Sequence, residues 1–268
     1  MPRFAANLSM LFTEVPLLAR FERAARAGFQ AVEIQFPYEL PAAALREQLN
    51  AHRLRMVLHN LPGGDFAAGD RGIACHPARV DEFRTGVARA IAYASALGVR
   101  QLNCLSGKVP AGVDAATLRA TFLANLRYAA PRLQAAGLKL LIEPINTIDV
   151  PGFWLNRTDM AVGLIEELGL DNVYVQYDCY HAQRSEGELA GTLSRYLPYI
   201  AHVQVADNPG RFEPGTGEIR YDFIFEHLHR IGYTGFIGCE YKPAGLTEDG
   251  LGWLDSARRA LEGASALG

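Results

Sequence analysis

Four apolar runs in the second half of the chain close on groups that can hold a hard metal ion. KLLIE ends at Glu143, VYVQYD at Asp178, AHVQVA carries Gln204, and FIGCEY carries Glu240. Three carboxylates and one neutral amide oxygen are hard oxygen donors, suited to Mg²⁺ or Mn²⁺ rather than to zinc. A carboxylate at the end of an apolar run gains nothing by burial unless a partner or a metal meets it. Any one of the four, taken alone, reads equally well as a solvated loop residue. Their recurrence at successive run ends is the signal, and other runs close in the same way on Asn7, Glu33, His59 with Asn60, and Asn103.

The elements that must carry these groups follow from periodicity. Eight β-like runs are expected at 4–8, 31–36, 56–60, 101–105, 139–143, 173–178, 201–206 and 236–241. Between them lie helical patterns such as Leu17–Ala27, Val80–Leu97 and Ala116–Ala136, with apolar residues returning at spacings of three and four. Gly28, Gly98, Gly137, Gly169 and Gly232 each follow a helical pattern and precede a strand, the position of a helix-ending glycine. Strand and helix alternating eight times predict a single (β/α)₈ TIM barrel over residues 1–268, with no second domain. The long Gly- and Pro-rich connections after strands 3, 5 and 7 would lie at the C-terminal face, where such barrels place their sites.

Composition narrows the partners. The 268 residues carry 26 Lys and Arg against 29 Asp and Glu, a net charge of −3, which gives no footprint for nucleic acid or an anionic membrane. No run approaches the length of a membrane span and the N-terminus lacks a signal-peptide core, so a cytoplasmic protein acting on a small molecule is expected. Homo-oligomerisation is left open. Cys75, Cys104, Cys179 and Cys239 form no CxxC pair and are expected to be reduced and buried. The glycines of GGD (63–65) and GTG (215–217) read as turns rather than phosphate cradles. His52, His227 and His229 fall on helical patterns away from the strand ends.

The stretches FAANLSMLF, HNLPGGDFAAGDRGIACHP, NCLSGKVPAG, LIEPIN, QYDCYHAQRSEGEL, HVQVADNP, EPGTGEI and GCEYKP resemble the hydroxypyruvate isomerases, members of the xylose-isomerase-like TIM barrels. The resemblance covers nearly the whole chain. It implies that Glu143 and Glu240 are an acid/base pair interconverting hydroxypyruvate and tartronate semialdehyde through a cis-enediolate. It implies a divalent ion among Glu143, Asp178, Gln204 and Glu240. Many relatives carry His where this chain has Gln204, which puts metal affinity in question. The substrate's carboxylate and hydroxyl call for donors on the facing loops, and His59, Arg71, Lys108, His181 and Arg211 are the candidates. The neighbouring 2-oxo-tetronate isomerases share the barrel and the paired carboxylates, and MPRFAANLSM and GLTEDGLGW resemble them as much; HNLP and NCLSGK favour the hydroxypyruvate enzymes. An endonuclease IV-like nuclease would need histidine-rich zinc sites and a basic face that this sequence lacks. A binding protein on a retained barrel is the remaining alternative.

Overall fold

The computed structural model describes residues 3–265, with side chains through residue 258. Eight strands are hydrogen-bonded in sequence order into a closed, all-parallel barrel: β1 Arg3–Asn7, β2 Ala31–Glu33, β3 Arg55–Asn60, β4 Gln101–Cys104, β5 Lys139–Ile142, β6 Val173–Asp178, β7 Ile200–Val205 and β8 Phe236–Cys239. The helices α1 Leu17–Arg26, α2 Ala42–Ala51, α3 Val80–Leu97, α4 Ala115–Ala135, α5 Thr158–Leu168, α6 Cys179–Ser185, α7 Leu189–Tyr196, α8 Tyr221–Arg230 and α9 Gly252–Ser265 complete the order. The expected (β/α)₈ architecture is the observed one. Among the described residues no helix is long and apolar enough to cross a membrane.

Alternation along each strand sorts the side chains into two compartments. Phe4, Ala6, Met56, Leu102, Leu140, Ile142, Val203 and Ile237 face the helices and join one large apolar cluster. Inward positions near the strand starts form a small separate cluster that includes Ala5, Ala31, Val57 and Leu141. Two residues further along those same inward rows stand Asn7, Glu33, His59 and Glu143, all buried. The barrel interior is therefore apolar towards its base and polar at its mouth.

Helix ends obey local rules. α3 and α5 stop at Gly98 and Gly169 in the left-handed region (φ 73° and 60°), a conformation that a Cβ disfavours. Gly28, Gly137 and Gly232 also have positive φ just past α1, α4 and α8. The Asp114 carboxylate caps α4 by accepting from the Thr117 N–H at 2.9 Å. The expected run 31–36 is shorter as a strand: the β2–β3 register shifts between Val32 and Glu33, and regular pairing stops at Glu33. His52 directly follows α2, and His227 and His229 lie in α8, away from the mouth as expected. All four cysteines are free and buried.

Candidate active site

The inward alternation brings Glu143, Asp178, Gln204 and Glu240 together at the C-terminal mouth, each buried. Glu143 follows the last residue of β5 and, among the described residues, has a single side-chain donor, the Asn103 amide, which gives its N–H to Oε2 at 2.7 Å. Burial, and then the charges of Glu240 and Asp178, push the Glu143 carboxyl well above the usual carboxylate range.

Glu240, just past β8, is far better furnished. Its Oε2 accepts from Asn7 Nδ2 at 2.9 Å and Gln204 Nε2 at 2.7 Å; its Oε1 accepts from Gln35 Nε2 at 3.1 Å and Arg211 Nη2 at 2.8 Å. Burial dominates and raises this carboxyl to about 8, with Arg211 pulling it down and Asp178 and Glu33 pushing it up.

Asp178 ends β6 and caps α6: its Oδ1 accepts from the Tyr180 N–H at 2.8 Å. Among the described residues its buried Oδ2 accepts no hydrogen bond, with His181 Nε2 at 3.6 Å and Arg211 Nη2 at 3.8 Å, so it keeps accepting capacity for a ligand. Oxygens of Glu143 and Asp178 and a ring nitrogen of His181 lie within 4.8 Å of one another. This donor set fits a hard divalent ion through its carboxylates. His181 is a poor ligand in it. Asn146 Oδ1 accepts the backbone N–H groups of Ile148 and Asp149, so its Nδ2 must donate to His181 Nδ1, at 2.7 Å. The ring proton then sits on Nε2, which faces Asp178 Oδ2 at 3.6 Å as a donor. Burial, then Arg211 and Arg184, hold His181 well below its ordinary value, so it is neutral.

Gln204 reaches the cluster with its nitrogen. Its Oε1 accepts from Gln176 Nε2 at 2.6 Å, while its Nε2 donates to both Glu240 and Glu33. Its oxygen would join a metal only after a half-turn of the amide.

Of the five candidate substrate groups, three are at the mouth. Arg211, in the left-handed region at φ 56°, pairs with Glu240 and lies 3.8 Å from Asp178 Oδ2 and 3.5 Å from His181 Nε2. Burial acts against its charge, but Glu240, Asp178 and Glu143 outweigh it and keep the guanidinium ionised. His59 is neutral, pushed by burial to about 4. Its Nδ1 lies 3.1 Å from the Asn60 carbonyl, to which Tyr38 also donates, and its buried Nε2 has no hydrogen-bond partner among the described residues. His181 completes the three.

Arg71 and Lys108 stay on the rim. Arg71 donates to the carbonyls of Phe66 and Asp70 in its own loop and stacks on Phe66; Lys108 lies beside Gly69. Neither side chain touches the carboxylates among the described residues. Sequence reasoning did not single out Gln35, Asn146, Gln176 or His202. For Gln176 and His202 a signal existed: each stands two residues before a site residue, Asp178 or Gln204, on the same inward face.

The xylose isomerase-like TIM barrel family model matches residues 21–257. Hydroxypyruvate isomerase of Escherichia coli K12 is 54% identical over 258 residues, covering 96% of this chain and all of that protein. 2-oxo-tetronate isomerase of Cupriavidus necator is 48% identical, with 95% and 98% covered. A crystal structure described as an AP endonuclease, family 2, from Brucella melitensis superposes with a TM-score of 0.93 at 45% identity, covering 96% of this chain and 99% of that one. The chain belongs to the xylose isomerase-like TIM barrel family.

Proposed function

We propose that this chain is an isomerase that interconverts hydroxypyruvate and tartronate semialdehyde by proton transfer between C3 and C2. The observation that carries the reading is the pair of buried carboxyls, Glu143 and Glu240, at one mouth, the first raised well above the usual carboxylate range and the second to about 8. One such group can take a proton from carbon while the other returns it. The relative at 54% identity, matched over its whole length, supports the choice of substrate.

The surroundings divide the roles. Glu240, with four donors including a guanidinium, is the group more readily ionised, and it acts as the base that removes the C3 proton. Glu143, with one donor, keeps its proton longer and delivers it to C2, while the O3 hydroxyl proton passes to O2 so that the C3 alcohol becomes the aldehyde and the C2 ketone the alcohol; the reverse reaction exchanges the two roles. Arg211 receives the substrate carboxylate, since its buried Nε has no hydrogen-bond partner among the described residues and its guanidinium offers a planar fork. His181 Nε2–H donates to a substrate oxygen, and the free Nε2 of His59 accepts from a hydroxyl. A divalent ion, Mg²⁺ or Mn²⁺, held by Glu143, Asp178 and Glu240 would stabilise negative charge on the enediolate oxygens. The test is turnover of hydroxypyruvate, with product coupled to an NADH-dependent reductase and 2-oxo-tetronate run beside it. Preference for hydroxypyruvate is expected. Preference for the tetronate would keep the carboxylate pair and move the substrate to that of the relative at 48% identity.

A further inference from the structure

Behind Glu240 lies a second buried carboxylate that the reaction does not use. Glu33 ends β2 and is 1% exposed. Its Oε1 accepts from Asn7 Nδ2 at 2.9 Å and from Gln204 Nε2 at 2.7 Å, the same two amide nitrogens that donate to Glu240 Oε2. Its Oε2 faces His202 Nε2 at 2.7 Å, and His202 Nδ1 faces Gln101 Nε2 at 3.2 Å.

Both bridging amides are fixed in orientation from their oxygen ends. Asn7 Oδ1 accepts the Ser9 N–H at 3.0 Å, and Gln204 Oε1 accepts from Gln176. Neither can turn to follow Glu240 without losing that bond. β8 leaves room for the arrangement: a Cβ at Gly238 would fall 2.5 Å from both Glu33 oxygens.

We infer that Glu33 is a positioning residue, anchoring Asn7 and Gln204 from behind so that Glu240 Oε2 is held and its Oε1 faces the mouth. Gly238 and His202 keep Glu33 in place. The inference rests on the proposed role of Glu240 in proton transfer. Its physical basis is that proton transfer to carbon demands close placement, so a displacement of about 1 Å lowers turnover by about a hundredfold while leaving ground-state binding little changed.

The experiment compares Glu33→Ala, Glu33→Gln and Gly238→Ala with the parent chain, each checked for folding by its thermal melt, reading kcat and KM separately with hydroxypyruvate. In Glu33→Ala and Gly238→Ala, kcat is expected to fall by about 30- to 100-fold with KM within about threefold. Glu33→Gln should recover most of that turnover. Its amide oxygen can accept from Asn7 and Gln204 and its nitrogen can donate to His202 Nε2 once the ring proton moves to Nδ1 and the Gln101 amide turns to present its oxygen to that N–H. Unchanged kcat per folded molecule in Glu33→Ala or Gly238→Ala overturns the inference, as does a Gln variant no better than the Ala variant. Should Glu33→Ala not fold, Gly238→Ala decides, because it keeps every donor and acceptor. If the parent chain turns over neither hydroxypyruvate nor 2-oxo-tetronate, the functional reading fails by itself. A crystal structure of Gly238→Ala then tests positioning directly: Glu240 Oε2 displaced from Asn7 and Gln204 is expected, and an unmoved Glu240 refutes it.

Discussion

The two sides of the barrel mouth treat the same side chain differently. At the end of β5, Glu143 is buried with one amide donor and two neighbouring carboxylates that raise it. At the end of β8, Glu240 meets four donors, one of them the Arg211 guanidinium. In the proposed reading, identical chemistry placed in unequal surroundings makes an acid and a base out of two glutamates, and the asymmetry of the mouth sets which of them takes the C3 proton.

The sharpest way to break that comparison is to remove each carboxyl in turn. Glu240→Gln and Glu143→Gln should fold normally and lose isomerase activity by about a thousandfold, because the amide is nearly isosteric but cannot exchange a proton. A partial reaction separates them. In deuterium oxide, Glu143→Gln should still wash the C3 hydrogens of hydroxypyruvate into solvent, since Glu240 remains to remove them. Glu240→Gln should not. Equal exchange in both variants would erase the asymmetry.

That the pair exists was legible in the sequence; that its members differ was not. KLLIE and FIGCEY announce carboxylates at strand ends, and strand periodicity sends them inward. The partners that distinguish them come from distant strands: Gln35 reaches Glu240 across 205 residues of chain and Asn7 across 233. No local pattern records such pairings. The loop arginines make the same point. Arg71 and Arg211 look alike as sequence. Arg211, however, has its N–H tied to the Asp207 carbonyl and its own carbonyl tied to the Lys242 N–H, in a left-handed conformation at the mouth, whereas Arg71 satisfies carbonyls of its own loop. From its strand position Gln204 reads as an oxygen ligand, whereas its contacts with Gln176, Glu33 and Glu240 turn its nitrogen to the carboxylates.

Weakening the richer side tests what its donors do. Arg211→Lys keeps a charge but loses the planar fork, and KM for hydroxypyruvate should rise by about tenfold; Arg211→Met should raise it by about a hundredfold. Because Arg211 pulls the Glu240 carboxyl down, the Met variant should also need a higher pH for full kcat/KM. An unchanged KM in Arg211→Met would assign the substrate carboxylate to another group, with Lys108 the next cation to test.

A smaller effect follows from cations in solution. In chelator-treated protein the acid limb of kcat/KM should report a base of apparent pKa near the value of about 8 for Glu240. Added Mg²⁺ or Mn²⁺ favours the ionised carboxylates, so the limb should move to lower pH and the rate near neutrality rise several-fold, by about three- to tenfold. A limb that ignores both chelator and metal would detach the ion from these carboxylates.

The remaining effect lies in stability, and its sign is fixed by the same burial. The Glu240 carboxyl sits at about 8 in the folded chain against an ordinary 4.5. The folded state therefore holds this proton more tightly than the unfolded one, and this group makes folding less favourable as pH climbs through that window. Glu240→Gln has no proton to lose there. Its melting temperature relative to the parent should climb between about pH 5 and about pH 8.5, by about 10 °C, at about 1.4 kcal/mol per pH unit and about 2–4 °C per kcal/mol for a chain of this size. Glu143→Gln should show the same trend displaced to higher pH, since Glu143 has fewer donors to stabilise its ionised form. Coincident curves for the two variants would mean that the four donors around Glu240 leave its proton no looser than that of Glu143, and the assignment of base and acid would have to rest on the exchange experiment alone.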